Sequence, residues 1–297
     1  MKKYISAIAA LLVFSTIVSA QTTTSSALPS IDTGDTAWMI VATALVLFMS
    51  IPGLALFYGG LVRRKNLLNI FMQIFILVAI ISIEWVVIGY SNSFGSSSVE
   101  WLKPYFGGFD WAFLNNIHIS DLSPYFISHS QAAADGSSVG TIQHIVFVMF
   151  QGMFAVITPA LIIGAFAERI SFKGFLVFSL LWAVLIYNPV AHWVWSADGW
   201  LFKLGALDFA GGTVVHVNAG IAAIVMAILL GKRRDYKGYA LPPHNITYVA
   251  IGAAMLWIGW FGFNAGSGLA ADGLAGNALM VTNLAAATAA LTWASLE

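Results

Sequence analysis

The chain has 297 residues, 59% of them apolar and only 9% charged, and its formal net charge is zero. A soluble domain carries roughly 25% charged residues, so a water-covered globular surface is excluded and an integral membrane protein remains; neutrality also argues against a nucleic-acid partner. With no cysteine, disulfides, thiol catalysis and thiolate metal sites are excluded as well.

Residues 1–20 read as a secretory leader. Lys2 and Lys3 supply the basic start, Ile5 to Val18 the apolar middle, and Val18-Ser19-Ala20 a small-residue cleavage site. The competing reading is a first membrane helix, disfavoured by a short apolar run followed by the polar Gln21 to Ser26. Residues 21–36 then form an extracytoplasmic amino-terminal segment, and 37–297 a single membrane domain. Apolar runs of roughly 20 residues mark membrane helices. Seven are predicted, at about 37–62, 67–91, 140–167, 172–194, 210–231, 246–266 and 277–296. Arg63, Arg64, Lys65, Arg169, Lys173, Lys232, Arg233, Arg234 and Lys237 all fall in alternate connections. Only Lys103 and Lys203 fall in the other set, so the basic loops are predicted cytoplasmic and the mature amino terminus outside. The connection at 92–139 is then extracytoplasmic, and the sequon Asn245-Ile246-Thr247 is cytoplasmic and discounted. Leu291–Glu297 reads as a helix end without a tail, the mark of a fragment or truncated product.

The residue that says most about function is His216, within Gly211-Gly212-Thr213-Val214-Val215-His216-Val217-Asn218. An ionisable side chain in hydrocarbon is costly and faces a cavity, a partner or a transport path. With 1.5 Å of rise per residue, Phe150 and Phe154 lie roughly 15 and 21 Å down the third helix, and His216 about 9 Å down the fifth. The i,i+4 spacing puts Phe150 and Phe154 on one face. Trp195 ends the fourth helix, and Ser267 the sixth, at the same outer side. Singly, each aromatic is more often packing or interfacial belt, and Ser267 in Asn-Ala-Gly-Ser only a close-approach residue. Together they suit a small cation with hydrogen-bond donors. Aromatic faces attract it, a serine hydroxyl accepts one N–H, and a neutral imidazole can both donate and accept. Asp208 is predicted to cap the fifth helix and to support the site. Glu84, counted along the second helix, is predicted at a wet outer interface.

Longer motifs carry a family resemblance. They are Phe57-Tyr58-Gly59-Gly60-Leu61-Val62-Arg63, Phe150-Gln151-Gly152-Met153-Phe154, Ala165-Phe166-Ala167-Glu168-Arg169-Ile170, Gly205-Ala206-Leu207-Asp208-Phe209-Ala210 running into the His216 segment, and Gly259-Trp260-Phe261-Gly262-Phe263-Asn264-Ala265-Gly266-Ser267. The sequence resembles the ammonium transporter (Amt/Mep/Rh) family, nearest its bacterial Amt branch. The resemblance implies an all-α polytopic fold of eleven helices built as inverted repeats, of which about seven are present here. Inverted repeats put a substrate site at their interface. It further implies that Trp195, Phe154 and Ser267 recruit ammonium, that Phe150 and Phe154 form a stacked phenyl gate, that Asp208 is the supporting acid, and that His216 is the first of two pore histidines. A homotrimer, contact with membrane lipid, a possible cytoplasmic regulatory protein and a bacterial cytoplasmic membrane are implied too. The second pore histidine belongs to a helix this sequence does not reach, so the 297 residues alone are expected not to transport.

The expected function is ammonium or ammonia transport, with no catalytic residues, metal or cofactor. An ammonium sensor on the same fold is the alternative, and a Rh-type gas channel fits less well because Trp195 and Ser267 suit a scarce cation. An intramembrane enzyme would need a nucleophile–base pair or several metal ligands, and His216 has neither.

Overall fold

The computed structural model describes residues 30–125, 140–233, 236 and 242–297. The predicted leader and residues 21–29 of the segment after it lie outside them. Among the described residues, seven helices are long and apolar enough to cross a membrane. They are α1 (Thr33–Leu61), α2 (Arg64–Phe94), α3 (His144–Phe166), α4 (Phe172–Lys203), α5 (Gly212–Leu230), α6 (Ile246–Ala265) and α7 (Gly273–Leu296). No strand occurs among the described residues; Leu122 and Gln143 form one isolated antiparallel bridge. The predicted all-α polytopic architecture is therefore present.

Caps explain where the helix ends differ from the predicted bounds. Asp32 accepts from the Asp35 N–H at 2.9 Å and starts α1 at Thr33, four residues early. Asp272 does the same for α7 through the Ala275 N–H at 3.0 Å. Asn245, the sequon residue, spends its side-chain oxygen on the Tyr248 N–H at 3.1 Å and caps α6. Conversely α3 starts at His144, not at 140, because the preceding backbone pairs with another segment: Gly140 N–H donates to Ser123 at 2.8 Å and Ser123 N–H to Ile142 at 2.9 Å. The later start lifts each phenylalanine of α3 by roughly 6 Å relative to the predicted depth.

α3 is the central element. Every residue from Phe150 to Ala160 is buried, as expected of a helix that is apolar all round. α1, α2 and α5 pack directly on it. α1 also crosses α6 at glycines. A Cβ on Gly252 would lie 2.5 Å from the Phe57 backbone nitrogen, and one on Gly262 would lie 2.8 Å from the Ala42 carbonyl oxygen. Small residues of this kind let membrane helices approach closely where no hydrophobic force drives association. α7 buries only Ala275, and α5 leaves Ile221, Ile224, Val225, Ile228 and Leu229 exposed.

α1 is kinked at Met49–Leu54, where Ile51 is extended at φ −127° and ψ 113° ahead of Pro52, and four other spans contain a widened π turn: Trp85–Gly89, Ala183–Tyr187, Gly212–Val217 and Phe261–Ala265. Each π turn slips the register of its helix by about one residue and re-aims the side chains beyond it. Two of them carry His216 and Phe263.

Glu84 departs from its predicted wet interface. It is buried, and its Oε1 accepts from the Asn188 side chain of α4 at 2.8 Å. Counting residues along one helix places depth; it does not reveal that α4 covers this face of α2.

At the end of α4 away from Trp195, Glu168 has left-handed backbone at φ 66°, a costly conformation for a residue with a Cβ. Its carboxylate holds that turn in place. It accepts from the Arg63 backbone N–H at 3.2 Å, from Arg63 Nε at 3.1 Å, from Arg63 Nη2 at 2.8 Å and from Asn66 Nδ2 at 2.5 Å. Burial pushes the carboxyl up, but the hydrogen bonds and charge of Arg63, with Asn66, outweigh it and hold the group below the ordinary carboxylate value.

Candidate functional site

The site begins within α4, where its long helical run stops at Trp195. Trp195 lies in the last turn of the helix Asn188–Trp195 within α4, and its indole N–H donates to the Asp208 backbone carbonyl at 3.0 Å. That bond ties the indole to the loop entering α5. The Asp208 side chain organises the same loop. Oδ1 accepts from the N–H groups of Gly211 at 2.6 Å and Gly212 at 2.8 Å; Oδ2 accepts from Thr213 at 2.8 Å and Val214 at 2.9 Å. These are the donors a helix start leaves without intrahelical partners, all taken by one carboxylate where the helix dipole favours a negative charge. Gly211 makes the turn possible: its φ is +97°, and a Cβ there would sit 2.7 Å from a Val215 methyl.

Phe154 of α3 meets Trp195 edge to face, with ring centres 5.8 Å apart at 89°. Phe150, one turn away, lies 5.0 Å from Phe154 at 67°. The two phenyls thus meet edge-on. The ring nearest Phe154 is Phe263 of α6, at 4.5 Å and 44°. All three phenyl rings are buried. From Phe263 the contacts continue to His216, at 5.9 Å, and the imidazole lies nearly parallel to Trp260 at 6.0 Å and 18°. The imidazole is exposed. Ser267, buried on the turn after α6, donates its hydroxyl proton to the Phe263 carbonyl at 2.8 Å. With that proton committed, the oxygen presents only lone pairs to a ligand.

Trp195, Phe154, Phe263 and His216 therefore form an unbroken line of ring contacts across four helices, with Phe150 and Ser267 beside it and Asp208 behind it. The model of the ammonium transporter family matches residues 37–297. The chain belongs to the ammonium transporter family. It is 48% identical over 266 residues to an ammonium transporter of Bacillus subtilis, covering 89% of this chain and 60% of that protein. Ammonium transporter Amt1 of Archaeoglobus fulgidus is 43% identical over 88% of this chain and 59% of its own length. Among solved structures, Saccharomyces cerevisiae Mep2 superposes with a TM-score of 0.76 at 37% identity, over 89% of this chain and 55% of that one. A structure described as a sensor Amt protein gives 0.71 at 29%, over 87% and 60%. The chain thus spans about three-fifths of the length of these relatives.

For this member of the family, the fold brings every predicted site residue into one neighbourhood. Reasoning from sequence missed Phe263 and Trp260 as neighbours of the imidazole. The signal was present in the i,i+4 spacing of Phe263 and Ser267, but the π turn at Phe261–Ala265 rotates that face in a way no regular helical wheel shows.

Proposed function

We propose that the protein carrying this chain moves ammonium or ammonia across a bacterial cytoplasmic membrane, with the mature amino terminus and the Trp195 mouth outside and the basic loops inside. The observation that carries this reading is the continuous ring line from Trp195 through Phe154 and Phe263 to His216. Trp195 and Phe154 offer π faces to a cation, and Ser267 offers lone pairs to one N–H. Phe154 and Phe263, closer to each other than Phe150 is to Phe154, form the constriction, and Phe150 buttresses it. Stripping a full charge of water costs on the order of 20 kcal/mol in the idealised limit, so giving up the proton at the mouth is the cheaper route past two phenyl rings. His216 then contacts the neutral species or relays the proton. Asp208 fixes the loop that carries Trp195's partner and biases the mouth toward cations. The relatives named ammonium transporters support the substrate.

Assembly as a homotrimer, contact with lipid and a cytoplasmic regulatory partner belong to the same proposal, supported by the exposed apolar faces of α1 and α2 at Ile40, Val41, Leu68, Met72 and Phe75. Uptake of radiolabelled methylammonium by transporter-deficient cells expressing the full-length protein tests the reading. Saturable uptake that falls sharply in His216→Ala is expected. A His216→Ala variant with unchanged rate, affinity and exclusion of potassium would overturn it. A sensing role is the second reading, favoured by the likeness to the sensor Amt structure; saturable methylammonium binding without any uptake would select it.

A further inference from the structure

His192 has no part in the ring line, yet it is completely buried one turn before Trp195. Both of its ring nitrogens face backbone carbonyls: Nδ1 lies 3.1 Å from the Ser93 oxygen and Nε2 2.8 Å from the Lys103 oxygen. A carbonyl oxygen only accepts, and a neutral imidazole has a single N–H. In the neutral form one of the two contacts would press lone pair against lone pair out of reach of water, leaving a buried acceptor unpaired. The imidazolium satisfies both. Burial opposes a charge on this ring, and the groups that offset it are the carbonyls and the helix ends. His192 is in the last turn of its helix and Ser93 in the last turn of Tyr90–Phe94, so two helix carboxyl ends, each carrying partial negative charge, converge on the ring.

The Lys103 carbonyl belongs to a strap. Pro104 accepts from the Trp200 N–H at 3.1 Å and Tyr105 from the Trp193 indole at 2.8 Å. Three consecutive carbonyls of the long loop are thus bonded to the end of α4, on both sides of Trp195. We propose that His192 is held as an imidazolium that pins this loop to α2 and α4, and that it is a positioning residue for Trp195. The charged groups around it are Asp198, paired with Lys203 at 3.7 Å, and Lys103, whose ammonium pairs with Glu100 at 3.8 Å. From α3 and α2, His144 and Tyr90 are bonded to each other, and Glu84 lies nine residues, roughly 14 Å, down α2 from Ser93. Tyr125 donates to the Phe94 carbonyl at 2.5 Å, and burial pushes its hydroxyl up to about 12, so it adds no charge. Raising the pH far enough to strip the ring removes one anchor of the strap.

The positioning half of the proposal rests on Trp195 being the recruitment residue; the charge state does not. Nitrogen-15 histidine labelling of the full-length protein in lipid reads the charge state directly, with His192 assigned by difference against His192→Gln. Two protonated ring nitrogens at pH 7 are expected, and one protonated with one bare nitrogen overturns the proposal. Methylammonium uptake reads the positioning. His192→Gln raises the apparent KM about five-fold, the worth of one net hydrogen bond, with maximal rate held within about two-fold, and His192→Lys recovers most of the affinity. Unchanged KM in His192→Gln overturns the positioning role. If Trp195→Ala itself leaves KM unaltered, the recruitment reading fails while the charge-state result stands.

Discussion

Removing the Asp208 carboxylate strands four backbone donors at once, and the structure says how much that costs. In Asp208→Ala, Gly212 and Thr213 are exposed and water replaces the lost oxygen, whereas Gly211 and Val214 are buried. A buried donor left unpaired costs about 1–3 kcal/mol, so two of them cost about 2–6. Partial relaxation of the loop brings the expected loss to about 2–4 kcal/mol, above the usual range for a single helix cap because two orphaned groups are inaccessible. For a protein larger than 250 residues 1 kcal/mol corresponds to at most roughly 2–4 °C in midpoint, so the drop is at most roughly 4–16 °C. Asp208→Asn keeps one acceptor oxygen and loses about half as much, while removing the negative charge. Thermal unfolding of the purified full-length protein, followed by tryptophan fluorescence because the Trp195 indole bonds the Asp208 carbonyl, measures both. A midpoint within about 1 °C of the parent for Asp208→Ala would show that the four bonds do not hold this loop, and the account of the mouth would have to be abandoned.

Truncating Phe263 to Ala removes the ring between Phe154 and His216 and costs about 3–5 kcal/mol of packing; leak of hydrated cations, measured as potassium flux in vesicles, is expected from Phe263→Ala and not from Phe150→Ala, and the reverse pattern would return the constriction to the Phe150–Phe154 pair. Trp195→Phe keeps a π face but loses the indole bond to Asp208, so the apparent KM for methylammonium should rise roughly three- to ten-fold, about the equivalent of one hydrogen bond, while an unchanged KM would place recruitment elsewhere. Glu168 has a folded-state value below the ordinary 4.5. Its contribution to stability is therefore complete above that ordinary value and is lost as pH falls through the lower folded one. Melting curves between pH 7 and pH 3 should show this loss in the parent and a flatter profile in Glu168→Gln; parallel profiles would refute the clamp.

Seven spans and their order were legible along the chain, because a bilayer enforces length and apolarity on each helix separately, and the residues proposed for the site could be picked out by their types and spacing. Asp208 could be anticipated as a cap for the same reason: a carboxylate just ahead of a helix meets free N–H groups whatever surrounds it. What the chain could not disclose depends on which helix faces which. Glu84 is buried because α4 brings Asn188 against it, and depth along α2 carries no trace of that neighbour. Phe263, not Phe150, is the closest partner of Phe154 because a π turn and the glycine crossing of α1 with α6 set the rotation of the sixth helix. His192 looks like any histidine at a helix end until two carbonyls, one from α2 and one from the long loop, are found on either side of its ring. Local rules act through neighbours in sequence and were sufficient for elements and caps; partner choice is a property of packing, and only the tertiary structure decided it.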